Sequence, residues 1–209
     1  MDVVLLAASG LAREVISSRL RDITVVGVLD DDPALLGTTL AGVEVLGDID
    51  SAAGRTDALL VCVGSGTGRR RVVERLRAVG VTDARYATAI DASVHIPSST
   101  VVGAGSILLA GVVTTADILI GRHVVVMPHV TLTHDDRIDD FATFAAGVSL
   151  GGGVHIREAA YLGMNASVRQ GLTVGEGATI GMGAAVVSDI PSAQIWAGVP
   201  ARPLNGSSA

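Results

Sequence analysis

Five histidines are the side chains in this sequence best suited to exchange a proton near neutral pH. One of them, His134, is followed directly by the carboxylates of Asp135 and Asp136. A neighbouring carboxylate holds an imidazole in one tautomer and raises its basicity, which a general base requires. The spacing therefore selects His134 as the candidate base, with a solvated surface histidine as the alternative. The other four lie beside apolar residues, where strand or surface roles are expected: His95, His123, His129 and His155.

A second set of candidate residues follows three apolar segments near the start of the chain. Residues 3–6, 23–29 and 58–63 are predicted strands, and residues 43–46 form a weaker one. Apolar residues recur at helical spacing over 11–20 and 69–79. This order of elements predicts a small parallel α/β unit, in which ligands bind beyond the carboxyl ends of the strands.

The loops at those strand ends carry groups that suit a phosphorylated sugar. Ser9 and Gly10 offer backbone N–H groups at the start of a predicted helix, where an anion such as a diphosphate binds well. Asp30 and Asp31 can accept hydrogen bonds from hydroxyls, and Arg69 can neutralise a phosphate. A solvated turn is the alternative for the aspartates, because a proline follows them closely. A dinucleotide site is weakly supported, since the first loop lacks the full G-x-G-x-x-G pattern.

A six-residue repeat occupies the chain from residue 90 to residue 186. Of its seventeen ladder positions, sixteen are large and apolar, and a fixed hexapeptide repeat predicts a parallel β-helix. Three hexads close one coil, so Leu132 should stack on Leu150 and then on Val168. A glycine often follows the ladder residue, which predicts a turn that a Cβ would oppose. The ladder residues are Ile90, Ile96, Val102, Leu108, Thr114, Ile120, Val126, Leu132, Ile138, Phe144, Leu150, Ile156, Leu162, Val168, Val174, Ile180 and Val186.

Composition argues against several classes of protein. The net charge of −6 disfavours a nucleic-acid or anionic-membrane partner. All 15 basic residues are arginine, which excludes a lysine Schiff base. The single Cys62 lies in an apolar segment, so disulfides and cysteine metal sites are not expected. No apolar run approaches the roughly 18 residues of a membrane span, and we expect a soluble, cytoplasmic protein.

The repeat, the His134-Asp135 pair and the sequence Gly198-Val199-Pro200-Ala201 together resemble the hexapeptide-repeat sugar acetyltransferases. The Ala8-Ser9-Gly10 and Asp30-Asp31 loops narrow the resemblance to the sialic acid O-acetyltransferases and the bacillosamine-pathway nucleotide-sugar N-acetyltransferases. The resemblance implies a Rossmann-like α/β domain over residues 1–84, which holds the nucleotide sugar. It also implies a left-handed β-helix over residues 85–209, which forms a homotrimer with active sites between subunits.

The resemblance also assigns roles to particular residues. It implies direct acetyl transfer from acetyl-CoA, without a metal, to an amino or hydroxyl group of the sugar. The catalytic residues would be the base His134, its partner Asp135 and the oxyanion donor Gly152. Acetyl-CoA would contact Thr143, Gly152, Met164, Gly181, Met182, Gly198, Pro200 and Ala201. The sugar nucleotide would contact Ser9, Gly10, Leu11, Asp30, Asp31, Gly64 and Arg69.

Departures from the family concern the acceptor side. Thr143 stands where some relatives have a second histidine, and Leu11 stands where a polar histidine is common. A γ-carbonic-anhydrase-like metalloenzyme is one alternative, because His129 and His134 are five residues apart. A trimeric scaffold without catalytic activity is another, although it would have no use for the His134-Asp135 pair.

Overall fold

A computed structural model describes the backbone of residues 1–208 and the side chains of residues 1–204. Its N-terminal layer is a five-stranded sheet flanked by two helices. The strands are β1 (Asp2–Leu6), β2 (Thr24–Leu29), β3 (Thr39–Leu40), β4 (Val43–Gly47) and β5 (Ala58–Val61). The helices are α1 (Gly10–Ser17) and α2 (Gly66–Ala78), and 3₁₀ turns cover Pro33–Leu35, Ile49–Gly54 and Asp83–Arg85.

The N-terminal sheet has the order β3-β4-β2-β1-β5, and all of its pairs are parallel except β3 with β4. Both helices begin at a serine cap: Ser9 accepts from the Ala12 N–H over 3.1 Å, and Ser65 accepts from the Gly68 N–H over 3.0 Å. Helix α1 ends earlier than the apolar spacing predicts, because Leu20 pairs instead with Asp91 in an isolated bridge. The sheet thus brings the three predicted loops to one edge.

A parallel β-helix follows, built from two-residue strands. In chain order they are β6 (Ala89–Ile90), β7 (Val101–Val102), β8 (Ile107–Leu108), β9 (Val113–Thr114), β10 (Leu119–Ile120), β11 (Val125–Val126), β12 (Thr131–Leu132), β13 (Arg137–Ile138), β14 (Thr143–Phe144), β15 (Ser149–Leu150), β16 (His155–Ile156), β17 (Tyr161–Leu162), β18 (Ser167–Val168), β19 (Thr173–Val174), β20 (Thr179–Ile180) and β21 (Ala185–Val186). A C-terminal pair, β22 (Gln194–Ala197) and β23 (Arg202–Ser208), closes its end. No helix within residues 1–208 is long and apolar enough to cross a membrane.

The coil has three flat sheets. The first sheet contains β6, β8, β11, β14, β17, β20, β22 and β23; the second contains β7, β10, β13, β16 and β19; and the third contains β9, β12, β15, β18 and β21. Pairing advances by eighteen residues, so Leu150 lies beside Val168 as the repeat predicts. Phe144 and Leu162 are fully buried in the resulting core. The predicted β-helix is confirmed.

The turns of the β-helix differ from the sequence prediction in which residue adopts the turn conformation. The left-handed backbone conformation falls three residues after the ladder residue, at positions such as Gly105 (φ 76°) and Asp135 (φ 64°). The glycine directly after the ladder residue is needed for a different reason. A Cβ on Gly163 would lie 2.6 Å from the Met182 nitrogen, because the next coil approaches the backbone closely.

The N-terminal layer packs on the outer face of the first sheet. Val3 and Leu5 of β1 share one buried apolar cluster with Ile107 and Val125 of the coil. This contact brings the loops of the N-terminal sheet close to one side of the β-helix.

Candidate active site

His134 lies in the turn between β12 and β13, which we call the His134 turn (residues 133–136). Its Nδ1 is 2.8 Å from Asp135 Oδ2, and the two side chains are 68% and 67% exposed. The hydrogen bond that the Asp135 carboxylate accepts raises the pKa of His134 above its usual value. The imidazole is therefore held in one orientation, with its Nε2 left to accept a proton.

Gly152 occupies the equivalent position one coil further along. A Cβ at this residue would collide with the His134 ring, so the imidazole lies directly against its backbone. The neighbouring Gly153 N–H donates to the His134 carbonyl over 2.8 Å. The Gly152 N–H itself has no acceptor in the described part of the chain. A proton acceptor and an unoccupied donor thus lie side by side, as acyl transfer requires.

A cavity of about 560 Å³ lies between the N-terminal loops and the first sheet. It brings together five residues that the sequence assigns to ligand binding, from distant parts of the chain: Gly10, Leu11, Gly64, Thr143 and Met164. The remaining lining, which sequence reasoning missed, is mostly apolar and consists of Glu14, Val125, Met127, Pro128, Ala145, Ala146 and Tyr161.

The base and the cavity lie at different places on the same chain. Thr143 belongs to β14 of the first sheet, whereas His134 follows β12 of the third sheet. His134 is not among the residues that line the cavity. A single chain therefore does not bring its own base to its own cavity.

Two polar residues of the N-terminal loops shape the backbone around the cavity. The Ser9 hydroxyl donates to the Cys62 carbonyl over 2.5 Å as well as capping α1. Asp30 accepts from the Ala8 N–H over 2.6 Å and from the Asp32 N–H over 2.9 Å. Both side chains thus link neighbouring loops.

Asp31 points to the outer side of α2. Its carboxylate is bound by the Arg75 guanidinium over 2.6 and 3.1 Å, and this bond holds its pKa below the usual value. Asp31 does not line the cavity.

The prediction that Arg69 contacts a phosphate is wrong, because its side chain is completely buried. Its Nε donates to the His123 carbonyl over 2.8 Å. Its terminal nitrogens donate, over 2.8 to 3.0 Å, to the Thr143 hydroxyl and to the carbonyls of Val63, Gly64, Phe141 and Ala142. Burial lowers its pKa to about 10. Arg69 joins the N-terminal layer to two coils of the β-helix.

One of the predicted cofactor contacts in the C-terminal region is also wrong. Ala201 is 1% exposed, and its N–H donates to the Ala185 carbonyl over 2.8 Å, so it seals the core. Gly181 lies beside β22 and is partly exposed: its N–H donates to the Trp196 carbonyl over 2.8 Å, and a Cβ there would lie 2.8 Å from Ala197, so its contact with acetyl-CoA stays a prediction. Three other predicted contacts stay exposed: Met182, Gly198 and Pro200.

The structure also bears on the alternative of a metal site. No group of three or more His, Cys, Asp or Glu side chains among the described residues could hold a metal ion. His129 and His134 therefore have no third ligand within the residues described.

The geometry defines a class of protein: a parallel β-helix that carries a histidine–carboxylate pair and packs against an α/β layer. Solved structures share both parts of this architecture. The chain superimposes on a perosamine N-acetyltransferase variant from Caulobacter crescentus, in complex with CoA and GDP-perosamine, with a TM-score of 0.89 and 29% identity over 98% of this chain and 97% of that chain. The acetyltransferase domain of PglB from Neisseria gonorrhoeae, in complex with acetyl coenzyme A, gives a TM-score of 0.86 and 29% identity over 97% and 98%. WeeI from Acinetobacter baumannii gives a TM-score of 0.81 and 28% identity over 98% of this chain and 100% of that chain.

No protein-family model matches the chain, and no curated protein matches it. The structural likeness extends over nearly the whole length of both chains in each comparison. The chain thus matches the hexapeptide-repeat sugar acetyltransferases in structure over nearly its whole length, and its coil is the left-handed β-helix found in these proteins.

Proposed function

We propose that this protein transfers an acetyl group from acetyl-CoA to the amino group of a nucleotide-linked sugar. The observation that carries the proposal is the His134–Asp135 pair lying against the backbone of Gly152. It occurs in a chain whose similar structures include an N-acetyltransferase bound to CoA and GDP-perosamine. The names of these relatives favour an amine over a hydroxyl acceptor; a sialic-acid type of O-acetylation is the second candidate.

In this mechanism the reaction is a direct transfer. The acceptor nitrogen attacks the thioester carbon while His134 Nε2 takes its proton, and Asp135 stabilises the imidazolium that forms. The Gly152 N–H donates to the thioester oxygen as it becomes negative, an interaction worth about 3–4 kcal/mol of barrier in other acyl-transfer enzymes. The carbon–sulfur bond then breaks, and the His134 imidazolium gives the proton to the sulfur, so that CoA leaves as the free thiol and the base is neutral again.

The two substrates are assigned to the cavity and its surroundings. Gly10 and Leu11 begin α1, where N–H groups without helical partners suit the diphosphate of a nucleotide. Met164 and Met182 lie one coil apart and are 48% and 71% exposed, which suits the apolar pantetheine arm of acetyl-CoA. Residues 1–84 would thus select the sugar nucleotide, and residues 85–209 would bind acetyl-CoA and carry the transfer chemistry.

A homotrimer would complete the active site. The base and the cavity occupy different corners of one coil, so the base of one subunit must meet the cavity of the next. The third sheet suits such an interface because its outward residues are small and uncharged: Val113, Thr131, Ser149, Ser167 and Ala185. A cytoplasmic location fits a reaction that consumes acetyl-CoA and a nucleotide sugar.

The direct test is release of free thiol from acetyl-CoA in the presence of a panel of nucleotide-linked amino sugars. We expect release with at least one nucleotide-linked amino sugar, an acetylated product detected by mass spectrometry, and little release with hydroxyl analogues. His134→Ala should bind acetyl-CoA as the wild type does and release thiol about 10²–10⁴ times more slowly. Equal turnover by the wild type and His134→Ala would overturn the assignment of the base. Release only with hydroxyl acceptors would favour the second candidate.

A further inference from the structure

A buried carboxylate lies beneath the His134 turn, in a position that the neighbouring coils fill with apolar groups. Asp136 stands two residues before the ladder residue Ile138 and is 1% exposed. The equivalent residues of the same corner in those coils are Ile118, Val154 and Leu172, all apolar and buried. Burying a carboxylate in this core is costly unless its oxygens are hydrogen-bonded.

Both oxygens of Asp136 accept backbone hydrogen bonds, and the two donors come from different coils. Oδ2 accepts from the Thr133 N–H over 2.8 Å, within the His134 turn. Oδ1 accepts from the Val154 N–H over 2.9 Å, eighteen residues further along. The carboxylate therefore connects the turn that carries the base to the turn formed by residues 151–153, which we call the glycine turn.

The bond to Val154 satisfies an N–H that makes no bond within its own turn. At the other two corners of the coil, the residue two before the ladder residue can donate to the carbonyl three positions earlier, as Ala160 does to Arg157 and Ala184 does to Gly181, both over 3.3 Å. At the corner of Val154, Ile118 and Leu172 make no such bond within the described residues. The Val154 N–H makes no such bond to Gly151 and donates to Asp136 instead. The glycine turn is thus three residues of high conformational freedom, fixed at its end by a side chain from the preceding coil.

We infer that Asp136 is a positioning residue that holds the glycine turn against the His134 turn. By fixing Val154 it sets the orientation of the Gly152 N–H relative to the His134 imidazole, which lies against the same glycine. The inference rests on the proposed function, because it concerns the spacing between the base and the oxyanion donor. A misplacement of about 1 Å in such a pair can cost about 10²-fold in rate.

Ser106 provides a matched control elsewhere in the chain. Its hydroxyl accepts from the Val124 N–H over 3.0 Å, the same eighteen-residue link that Asp136 makes, and it donates to the Gly121 carbonyl over 2.8 Å. This link lies at the corner between the second and first sheets, whereas the His134 turn lies between the third and second. Ser106→Ala removes the same kind of bond without touching the base.

The experiment compares Asp136→Ala, Asp136→Ser and Ser106→Ala in the full-length protein, by amide hydrogen exchange and by steady-state kinetics. In Asp136→Ala we expect faster exchange in the peptide covering residues 150–155, and kcat lowered about 10²-fold with the KM for acetyl-CoA nearly unchanged. In Ser106→Ala we expect faster exchange over residues 121–126 with kcat unchanged. Asp136→Ser should restore part of the protection from exchange and part of the kcat, because a serine makes the equivalent hydrogen bond to the Val124 N–H.

Two results would overturn the inference. One is unchanged exchange over residues 150–155 in Asp136→Ala. The other is faster exchange with a kcat equal to that of the wild type, since a purely structural residue would lower stability alone. If Asp136→Ala does not fold, Asp136→Ser decides between the same outcomes. Absence of thiol release by the wild type with every acceptor would contradict the proposed function, and hydrogen exchange would still decide whether Asp136 holds the glycine turn.

Discussion

The Arg69 guanidinium donates to the Thr143 hydroxyl over 2.9 Å, although the two residues are 74 positions apart in the chain. Arg69 lies at the start of α2, and Thr143 lines the cavity from the β-helix. The same guanidinium binds the carbonyl of Gly64, which also lines the cavity. One buried cation therefore sets the distance between the N-terminal wall of the cavity and its β-helix wall.

Arg69→Met should destabilise the protein by roughly 3 kcal/mol or more, because it leaves several buried carbonyls without a donor. Arg71→Met is the matched control, since Arg71 is exposed on the same helix and has no ion pair or side-chain hydrogen bond with any of residues 1–204. Free energies of unfolding from urea titrations measure the difference. Equal stability of the two variants would mean that the carbonyls find other partners.

Asp135→Asn should move the acidic limb of the pH–rate profile to lower pH. The hydrogen bond that the Asp135 carboxylate accepts raises the pKa of His134, and the base must be neutral to accept a proton. In the wild type, kcat/KM should therefore fall as the pH drops through a value above 6.5, and loss of the carboxylate returns this value toward 6.5. The comparison uses one acceptor for both proteins, so the ionisation of its amine is common to them. Superimposable limbs would exclude Asp135 from tuning the base.

Gly152→Ala should lower kcat while the protein keeps its fold, because the new methyl group would collide with the His134 ring and displace it. A displacement of about 1 Å predicts a loss of about 10²-fold. Gly54→Ala is the control: a Cβ added there would have no described atom within 4 Å, and Gly54 is far from the base in sequence. Thermal unfolding of both variants shows whether a lower kcat is accompanied by a loss of stability. A kcat unchanged in Gly152→Ala would mean that His134 is not held against this glycine during the reaction.

The course of the β-helix was predictable because its period is fixed by geometry. Once Leu132, Leu150 and Val168 are recognised as one column, the pairing of strands β6 to β21 within the coil follows at intervals of eighteen residues. The His134–Asp135 contact was equally accessible, since the two residues are adjacent. Local spacing carries such information without knowledge of the tertiary structure.

The role of Arg69 was not predictable in the same way. Its acceptors lie up to 74 residues away and come together only when α2 packs on the coil. An arginine after a glycine-rich loop is equally typical of a phosphate ligand. Asp136, by contrast, left a signal: it is a carboxylate at a position where the same corner of the neighbouring coils has isoleucine, valine and leucine. A polar residue out of pattern in a repeat marks a side chain with specific partners.

The burial of Asp136 predicts a pH dependence of stability. Desolvation raises its pKa to about 6, against the opposing effects of its backbone hydrogen bonds and of His134; Asp135 adds to the rise. The folded state therefore binds a proton more readily than the unfolded state, where the carboxyl has its usual value of 3.8. The wild type should gain stability relative to Asp136→Asn as the pH falls from about 7 to 4. Unfolding free energies of both proteins across this range test it, and a difference that does not change with pH would contradict it.

Two inactive variants should restore activity when they share a trimer. His134→Ala removes the base, and Gly64→Trp fills the cavity at a residue where an added Cβ would have no described atom within 4 Å. If the active site lies between subunits, each site combines the His134 of one subunit with the cavity of the next. In every mixed trimer one site then combines an intact His134 with an intact cavity, and another site carries both defects. Unfolding the two variants together and refolding them, or expressing them together, should recover up to about a third of wild-type turnover, since a closed ring of three has one such site. Refolding each variant alone gives the background activity.

No recovery in mixed trimers, verified by mass spectrometry of differently tagged chains, would mean that each subunit uses its own base. The separation of His134 from the cavity would then require a conformational change within one chain.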